Sequence, residues 1–261
     1  MNTDVFRKHY RTPDAAHAAA NHHTWLTGLD SGLSFPTLLR HRDTTLEFEH
    51  ISGPTAEPAD LPVIARALGQ LHHAARRHGM IHADINQPFP LNGSGTLAGF
   101  APPRRERLHA ALSTTRSPLS GELVDAWLDA ATHFPGALYK DANPRNVILS
   151  DSRGPVLVDF DTLTLAPAGY DLAKLVVTTA MTFGPLTRQH AVNALHAYTT
   201  SLGLGQNACP FGHIQVWAEF HHLLTSPWLG CHYTHDWATV RPWPTDEIAS
   251  AARTPTNTPR S

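Results

Sequence analysis

Cysteine is nearly absent from this sequence. The 261 residues hold two, Cys209 and Cys231, which excludes a secreted disulfide framework and fits a reducing compartment. Charge is scarce as well. Charged residues make up 16%, with Lys plus Arg at 20 against Asp plus Glu at 22, so no field of one sign is available to grip nucleic acid or an anionic membrane. No apolar run approaches the roughly 20 residues that a membrane helix requires. The opening Met1-Asn2-Thr3-Asp4 lacks a basic segment followed by an apolar stretch, and the chain reads as soluble and cytoplasmic.

Histidine, by contrast, is abundant at 19 residues, which raises the question of a metal. Cys209-x-x-x-His213 and Cys231-x-x-x-His235 form two Cys/His pairs, and tetrahedral zinc accepts two of each. The competing account is buried thiols and surface histidines. The doublets His22-His23, His72-His73 and His221-His222 each place adjacent rings on different helix faces, which disfavours shared ligation.

The pattern along the chain is mixed α+β. A strand over Val5 to Tyr10 precedes a helix that Thr12 caps and Pro13 opens, running from Ala15 to about Leu26. Strands follow around Thr37 to His41 and Thr45 to Ile51, and Ser52-Gly53-Pro54 breaks the second. Leu61, Ile64, Ala65, Leu68, Leu71 and Ala75 keep a 3.6-residue period and define a buried helix face. The stretch from Asn86 to Pro103 reads as a long loop, with a polar helix starting near Arg104 and another helix from about Gly121 to His133. The period then switches to strand at Ala137 to Tyr139 and at a hairpin of Val147 to Leu149 with Pro155 to Val158. Helical pattern resumes over Tyr170 to Thr182, Pro185 to Leu202 and Phe211 to Leu224. Residues 249–261 read as a disordered tail. Trp217, Trp228, Tyr233, Trp237 and Trp243 gather in the final third and read chiefly as core.

Chemistry concentrates in Tyr139-Lys140-Asp141-Ala142-Asn143-Pro144-Arg145-Asn146, followed by the hairpin and by Val158-Asp159-Phe160-Asp161. Asp141 and Asn146 are close enough in sequence for one loop to aim both at a point, and the hairpin returns Asp159 beside them. Phosphoryl transfer calls for this set, because the protein mainly positions reactants and stabilises charge. One carboxylate orients an attacking hydroxyl, and hard oxygen ligands hold magnesium at the nucleotide phosphates. The Asp-x-x-x-x-Asn spacing followed by a strand and a second Asp is that of kinase catalytic loops. A second His-x-Asp, at His82 and Asp84, lacks the matching Asn and reads as a loop after a helix.

With Tyr170-Asp171-Leu172-Ala173 downstream, the order of motifs resembles the aminoglycoside phosphotransferase and choline kinase group, small-molecule kinases with a protein-kinase-like fold. The resemblance centres on Leu138 to Leu175 and extends more weakly from Val5 to about Leu224. It implies a two-lobed α+β fold: a reduced β-rich lobe at 1–52, a hinge near Glu49 to Gly53, and a mainly helical lobe at 53–248 carrying the catalytic hairpin. By that resemblance Asp141 is the catalytic base, Asn146 and Asp159 are magnesium ligands, and Asp171 braces the loop. Phe48 lines an adenine pocket, the backbone of Glu49 and Ile51 bonds the base, and Lys8 contacts the nucleotide phosphates. The implied activity is transfer of the ATP γ-phosphoryl group to a small-molecule hydroxyl, with ATP and Mg2+ required.

The sequence departs from the family in three places. Tyr139-Lys140 replaces His-Gly, so Lys140 and Arg145 either bind the transferring phosphoryl group, bind an acidic substrate, or pair locally. The helix after Lys8 lacks the usual glutamate, for which Asn21 or His17 is a weaker substitute. Only seven residues precede Lys8, too few for the glycine-rich cover of the phosphates, so the small lobe reads as truncated. Looser nucleotide binding, a partner chain supplying the cover, or a relic site all answer to this. The alternative function is a catalytically silent accessory or binding protein of the same fold.

Overall fold

The computed structural model describes residues 4–91, 95–161 and 163–253. Strand β1 (Val5–His9) leads into helix α1 (Pro13–Thr27), then β2 (Leu38–Arg42) and β3 (Thr45–Glu49) complete an antiparallel sheet of order β1-β3-β2. Thr12 Oγ1 accepts the Ala15 amide at 3.2 Å and Pro13 fills the first helical position, so α1 starts where the sequence places it. Its inner face is made of small residues, Ala16, Ala19 and Ala20, which lets the helix lie close on the sheet. Ala19, Ala20, Leu46 and Phe48 form a compact cluster there, flanked by Tyr10 and Leu38.

The larger hydrophobic core lies beyond β3. Helix α2 (Leu61–Arg77) buries Leu61, Ile64, Ala65, Leu68 and Leu71, its predicted face. The stretch after it is not a bare loop: β4 (Phe89–Pro90) pairs with β5 (Thr96–Leu97) before α3 (Pro102–Leu112) and α4 (Gly121–Ala130). Strand β6 (Gly136–Tyr139) precedes the hairpin of β7 (Val147–Ser150) and β8 (Gly154–Leu157), in which Val147 stands opposite Leu157. Strand β9 (Thr164–Pro167), which the sequence pattern did not disclose, pairs antiparallel with β6 and registers Tyr139 against Thr164.

Helices α5 (Tyr170–Phe183), α6 (Arg188–Leu202) and α7 (Phe211–Thr225) build the rest of the core. Helix α5 is buried on every side from Tyr170 to Met181, so residues on all its faces meet protein. Gly69 of α2 permits the approach of α6, since a Cβ there would sit 2.5 Å from the Tyr198 carbonyl oxygen. After α8 (Trp237–Val240), α9 (Thr245–Ala252) runs into the segment expected to be disordered. Ile248 and Ala252 are buried, and the Ala252 carbonyl accepts the Trp127 indole N–H at 2.8 Å, so core packing orders 249–252. Residues 254–261 of that expected tail lie outside the described residues.

Trp217, Tyr233, Trp237 and Trp243 are buried as the core reading expects, and Trp228 is half exposed. No helix among the described residues is long and apolar enough to cross a membrane.

Candidate active site

The loop after β6 carries Asp141 in the left-handed conformation, at φ 65°. Holding a non-glycine residue there costs about 1–3 kcal/mol, so the surroundings must enforce it. Asp171, in the first turn of α5, does so from beneath. Its Oδ2 accepts the Lys140 amide at 3.0 Å and its Oδ1 the Ala142 amide at 2.7 Å, gripping the backbone on either side of Asp141. Asp171 is fully buried, and burial pushes its carboxyl up to about 6 against the opposing pull of the two amides and Lys140. This is the bracing role that the sequence resemblance implies.

The Asp141 carboxylate is fixed through Oδ1, which accepts the Tyr139 hydroxyl at 2.8 Å and lies 3.1 Å from the Lys174 ammonium. Lys174 stands on α5 one turn after Asp171. The sequence reading missed it because lysine on a helix ordinarily faces water, whereas every face of α5 is covered. Asn146 Nδ2 donates to the Asp141 carbonyl at 3.2 Å, tying the two ends of the loop together. The Asn143 side chain caps the turn by accepting the Arg145 amide at 3.0 Å.

Asp159 follows β8 and has the same unusual backbone as Asp141, at φ 65°. The Val158 amide donates to the Asn146 carbonyl at 3.0 Å, and the Val158 carbonyl accepts the Lys140 ammonium at 2.5 Å. Lys140 therefore departs from the expectation that its cation stands beside the base to meet a phosphoryl group or acidic substrate. It is 2% exposed, points under the Asp159 backbone and lies 5.3 Å from the centre of the Phe160 ring. Burial lowers its pKa. At the position before Asp141 the side chain is buried, and its ammonium satisfies the Val158 carbonyl.

A cleft of about 530 Å³ opens between the β1-β3 sheet and the hairpin. Lys8, Phe48, Glu49, Ile51, Arg145, Asn146 and Asp159 all line it, although they span much of the chain. Asp141 and Lys140 are not among its lining residues. Pro36, Ile148, Val158 and Phe160 add apolar walls, and Tyr10 and Asp161 add polar groups the sequence reading passed over. Tyr10 stands two residues after Lys8, and Asp161 two after Asp159. An alternating-face reading of the first strand would have found Tyr10; Asp161 lies beyond β8 after the left-handed Asp159, where strand alternation does not apply.

Lys8 reaches across the cleft. Its ammonium is 2.8 Å from Asp159 Oδ1 and 2.7 Å from Asp161 Oδ2, and the Tyr10 hydroxyl donates to Asp161 Oδ1 at 2.9 Å. Burial alone would depress Lys8, but the two carboxylates outweigh it and hold its pKa above the usual lysine value. Burial likewise opposes the ionised Asp159, and Lys8 overrides it to keep that carboxyl below the usual range. Neither Asn21 nor His17 substitutes for the missing helix glutamate. The His17 ring lies against His41, and Asn21 lies beside Gly95, because the helix face turned to the sheet is alanine.

Glu49 also differs in part from expectation. Its backbone N–H donates to the Thr37 carbonyl at 2.9 Å and is spent within the sheet, while its carboxylate binds Thr37 and Arg153. The Ile51 amide, past the end of β3, has no hydrogen-bond partner among the described residues. The Arg145 guanidinium lies over the Tyr233 ring at 5.6 Å and donates to the His232 carbonyl, so its local partner is a carbonyl rather than a carboxylate.

The zinc reading is overturned. Cys209 is buried under Gly169, His213 packs between Trp127 and Phe134, Cys231 is exposed and His235 lies beside Gly184. No group of three or more His, Cys, Asp or Glu converges on one point among the described residues. The Asp84 segment is structural, its carboxylate accepting the Asn86 amide at 3.0 Å.

A cleft between a small sheet and a helical body, lined by the Asn and the hairpin Asp of the Asp-loop-Asn and hairpin-Asp motif, defines the class of kinase-like folds. Comparison with known proteins agrees. The phosphotransferase enzyme family, APH, matches residues 6–206, and this chain belongs to that family. Among solved structures, it is similar to a choline/ethanolamine kinase family protein from Mesorhizobium loti, at 16% identity and a TM-score of 0.59, covering 96% of this chain and 87% of that one. It is also similar to the choline kinase LicA from Streptococcus pneumoniae, at 16% identity and a TM-score of 0.54, covering 97% and 87%. Aminoglycoside phosphotransferase APH(3'')-Id from Streptomyces rimosus, solved with ADP and streptomycin, matches at 17% identity and a TM-score of 0.54, covering 85% and 86%. At these identities the likeness establishes the kinase-like fold. No curated protein matches.

Proposed function

We propose that this phosphotransferase moves the γ-phosphoryl group of ATP to a hydroxyl of a small molecule, with residues 1–52 and 53–248 acting as two lobes. The observation that carries the reading is the assembly of Lys8, Phe48, Ile51, Asn146 and Asp159 around one cleft whose apolar walls suit a flat base and whose polar end suits phosphates. In this reading the base lies between Phe48 and Ile148, the unpaired Ile51 amide donates to it, and Lys8 steadies the phosphates.

The donor set fits magnesium. Asp159 and Asn146 both line the cleft and offer hard oxygens, and the Lys8 ammonium 2.8 Å from Asp159 Oδ1 marks a position suited to positive charge. Asn146 and Asp159 are the residues that would hold the ion, and magnesium when bound supplies charge neutralisation at the phosphates.

Asp141 does its work from the protein side. Tyr139 and Lys174 fix Oδ1, which turns Oδ2 toward an acceptor hydroxyl, orienting the nucleophile and taking its proton as the bond to phosphorus forms.

Thermal stabilisation by ATP with magnesium tests the site. The expected result is a rise in Tm that Asp159→Ala abolishes and Asp141→Ala retains, while Asp141→Ala eliminates ADP release across a panel of hydroxylated amines, sugars and nucleosides. No shift at any millimolar concentration of ATP overturns the reading in favour of a silent accessory protein.

A further inference from the structure

The two carboxylates that hold Lys8 are not equivalent. We propose that Asp161 is the positioning residue for Lys8, replacing the helix-borne glutamate that α1 lacks and leaving Asp159 free to serve the cation of the nucleotide. The inference rests on the reading of the cleft as a nucleotide site.

Both oxygens of Asp161 are engaged by one short stretch of chain: Oδ2 by Lys8 at 2.7 Å and Oδ1 by the Tyr10 hydroxyl at 2.9 Å. Lys8 and Tyr10 are two residues apart, so their side chains leave the same face of the extended backbone and meet the carboxylate as a two-point clamp. The Tyr10 ring also lies 5.7 Å from the Lys8 ammonium and confines it on a third side. Asp159 is held differently. Its carboxylate accepts from Lys8 through Oδ1 and from the Asp161 backbone amide, no hydroxyl clamps it as Tyr10 clamps Asp161, and it is the more exposed of the two, at 43% against 34%.

Helix α1 could not have supplied the carboxylate. Its buried face comprises Ala16, Ala19, Ala20, His22, His23, Trp25 and Leu26, and its one acidic residue, Asp14, is exposed in the first turn. What the helix contributes instead is His22, whose Nδ1 bonds the Phe160 carbonyl at 3.2 Å, between Asp159 and Asp161. The coupling between helix and lysine that a glutamate would make directly therefore runs through His22, the Phe160 backbone and Asp161.

The test is a double-substitution cycle read by calorimetric titration with ADP, first in EDTA and then with magnesium, on the full chain. In EDTA, Asp161→Asn weakens ADP about fivefold because Lys8 loses its anchor, and Tyr10→Phe weakens it by about twofold. In the Lys8→Met background the same Asp161→Asn change leaves ADP affinity unchanged or tightens it, since it then only removes a negative charge near the phosphates. Equal weakening in both backgrounds overturns the proposal, as does a loss that appears only with magnesium, which would make Asp161 a metal ligand. Should Asp161→Asn fail to fold by circular dichroism, Tyr10→Phe combined with Lys8→Met runs the same cycle: a loss confined to the Lys8 background supports the clamp, and an equal loss in both backgrounds overturns it. A wild-type protein that binds no ADP under either condition overturns the nucleotide-site reading itself, an outcome distinct from failure of the cycle.

Discussion

Acid should unfold this protein through its buried histidines. His22, His23, His72, His213, His221 and His222 are all buried, and burial lowers the pKa of every one of them. For His72 the value is pushed down to about 3 and for His213 to about 4, and His221 lies well below the usual 6.5. The hydrogen bonds agree: His23 Nε2 meets the Pro36 carbonyl at 2.7 Å, His221 Nε2 the Tyr170 carbonyl at 2.8 Å, and His222 Nε2 the Arg116 carbonyl at 3.1 Å. Each of these rings donates its one proton to a carbonyl and stays neutral. A second proton on His72 Nε2 or His222 Nδ1 would be buried without a partner. Because the folded pKa lies below the unfolded one, the stability these groups contribute is present above 6.5 and is lost as the pH falls beneath it. About one pH unit below 6.5, each group that stays neutral in the fold costs about 1.4 kcal/mol. The three most strongly lowered histidines together cost about 4 kcal/mol, and the other three add in the same direction, against a total stability of about 5–15 kcal/mol for a typical domain. Asp171 works in the opposite direction, its raised carboxyl returning about 1 kcal/mol over the same interval. Urea denaturation at about pH 7.5 and about pH 5.5 measures the balance, with an expected net loss of about 3 kcal/mol or more. His72→Asn, which cannot take the charge, should reduce the loss between the two conditions by about 1.4 kcal/mol. Stability that changes by less than about 1 kcal/mol between the two conditions would refute the reasoning.

Asp171→Asn leaves one acceptor for two buried amides and turns an NH2 toward the other, while removing a buried charge. The expected result is a fall in ATP turnover of about a hundredfold with a stability change under about 2 kcal/mol, and a loss of stability large enough to account for the lost turnover would show that Asp171 merely supports the fold. Gly169→Ala should cost about 2–4 kcal/mol by urea denaturation, since φ is +86° and the new Cβ would lie 2.1 Å from Cys209 Sγ; adding Cys209→Ala should recover only part, because the backbone conformation stays unfavourable.

What was legible in the sequence is what is local. The catalytic loop and the β7-β8 hairpin are contiguous, so spacing alone brings Asp141, Asn146 and Asp159 into one neighbourhood, and Asp171 follows in register. The strand β9 was hidden because four residues ending in a proline give no alternation to read, and only pairing with β6, nearly thirty residues back, makes them a strand. The directions of the lysines were hidden for the same reason. Lys140, Lys174 and Lys8 are identical side chains, yet the first is turned inward onto the Val158 carbonyl, the second is trapped on a helix covered on all sides, and the third crosses the cleft. Where a long flexible cation points is decided by which carbonyls and carboxylates the fold leaves in need of a proton donor, a property of the assembled chain. The absent helix glutamate illustrates this from the other side. Read along the chain, it was a defect that placed the site in doubt; in three dimensions Asp161 already stands against the lysine, held by a tyrosine two residues away from it. The requirement of the site is a carboxylate at Lys8, and the fold can meet that requirement from an element that no linear motif would assign to it.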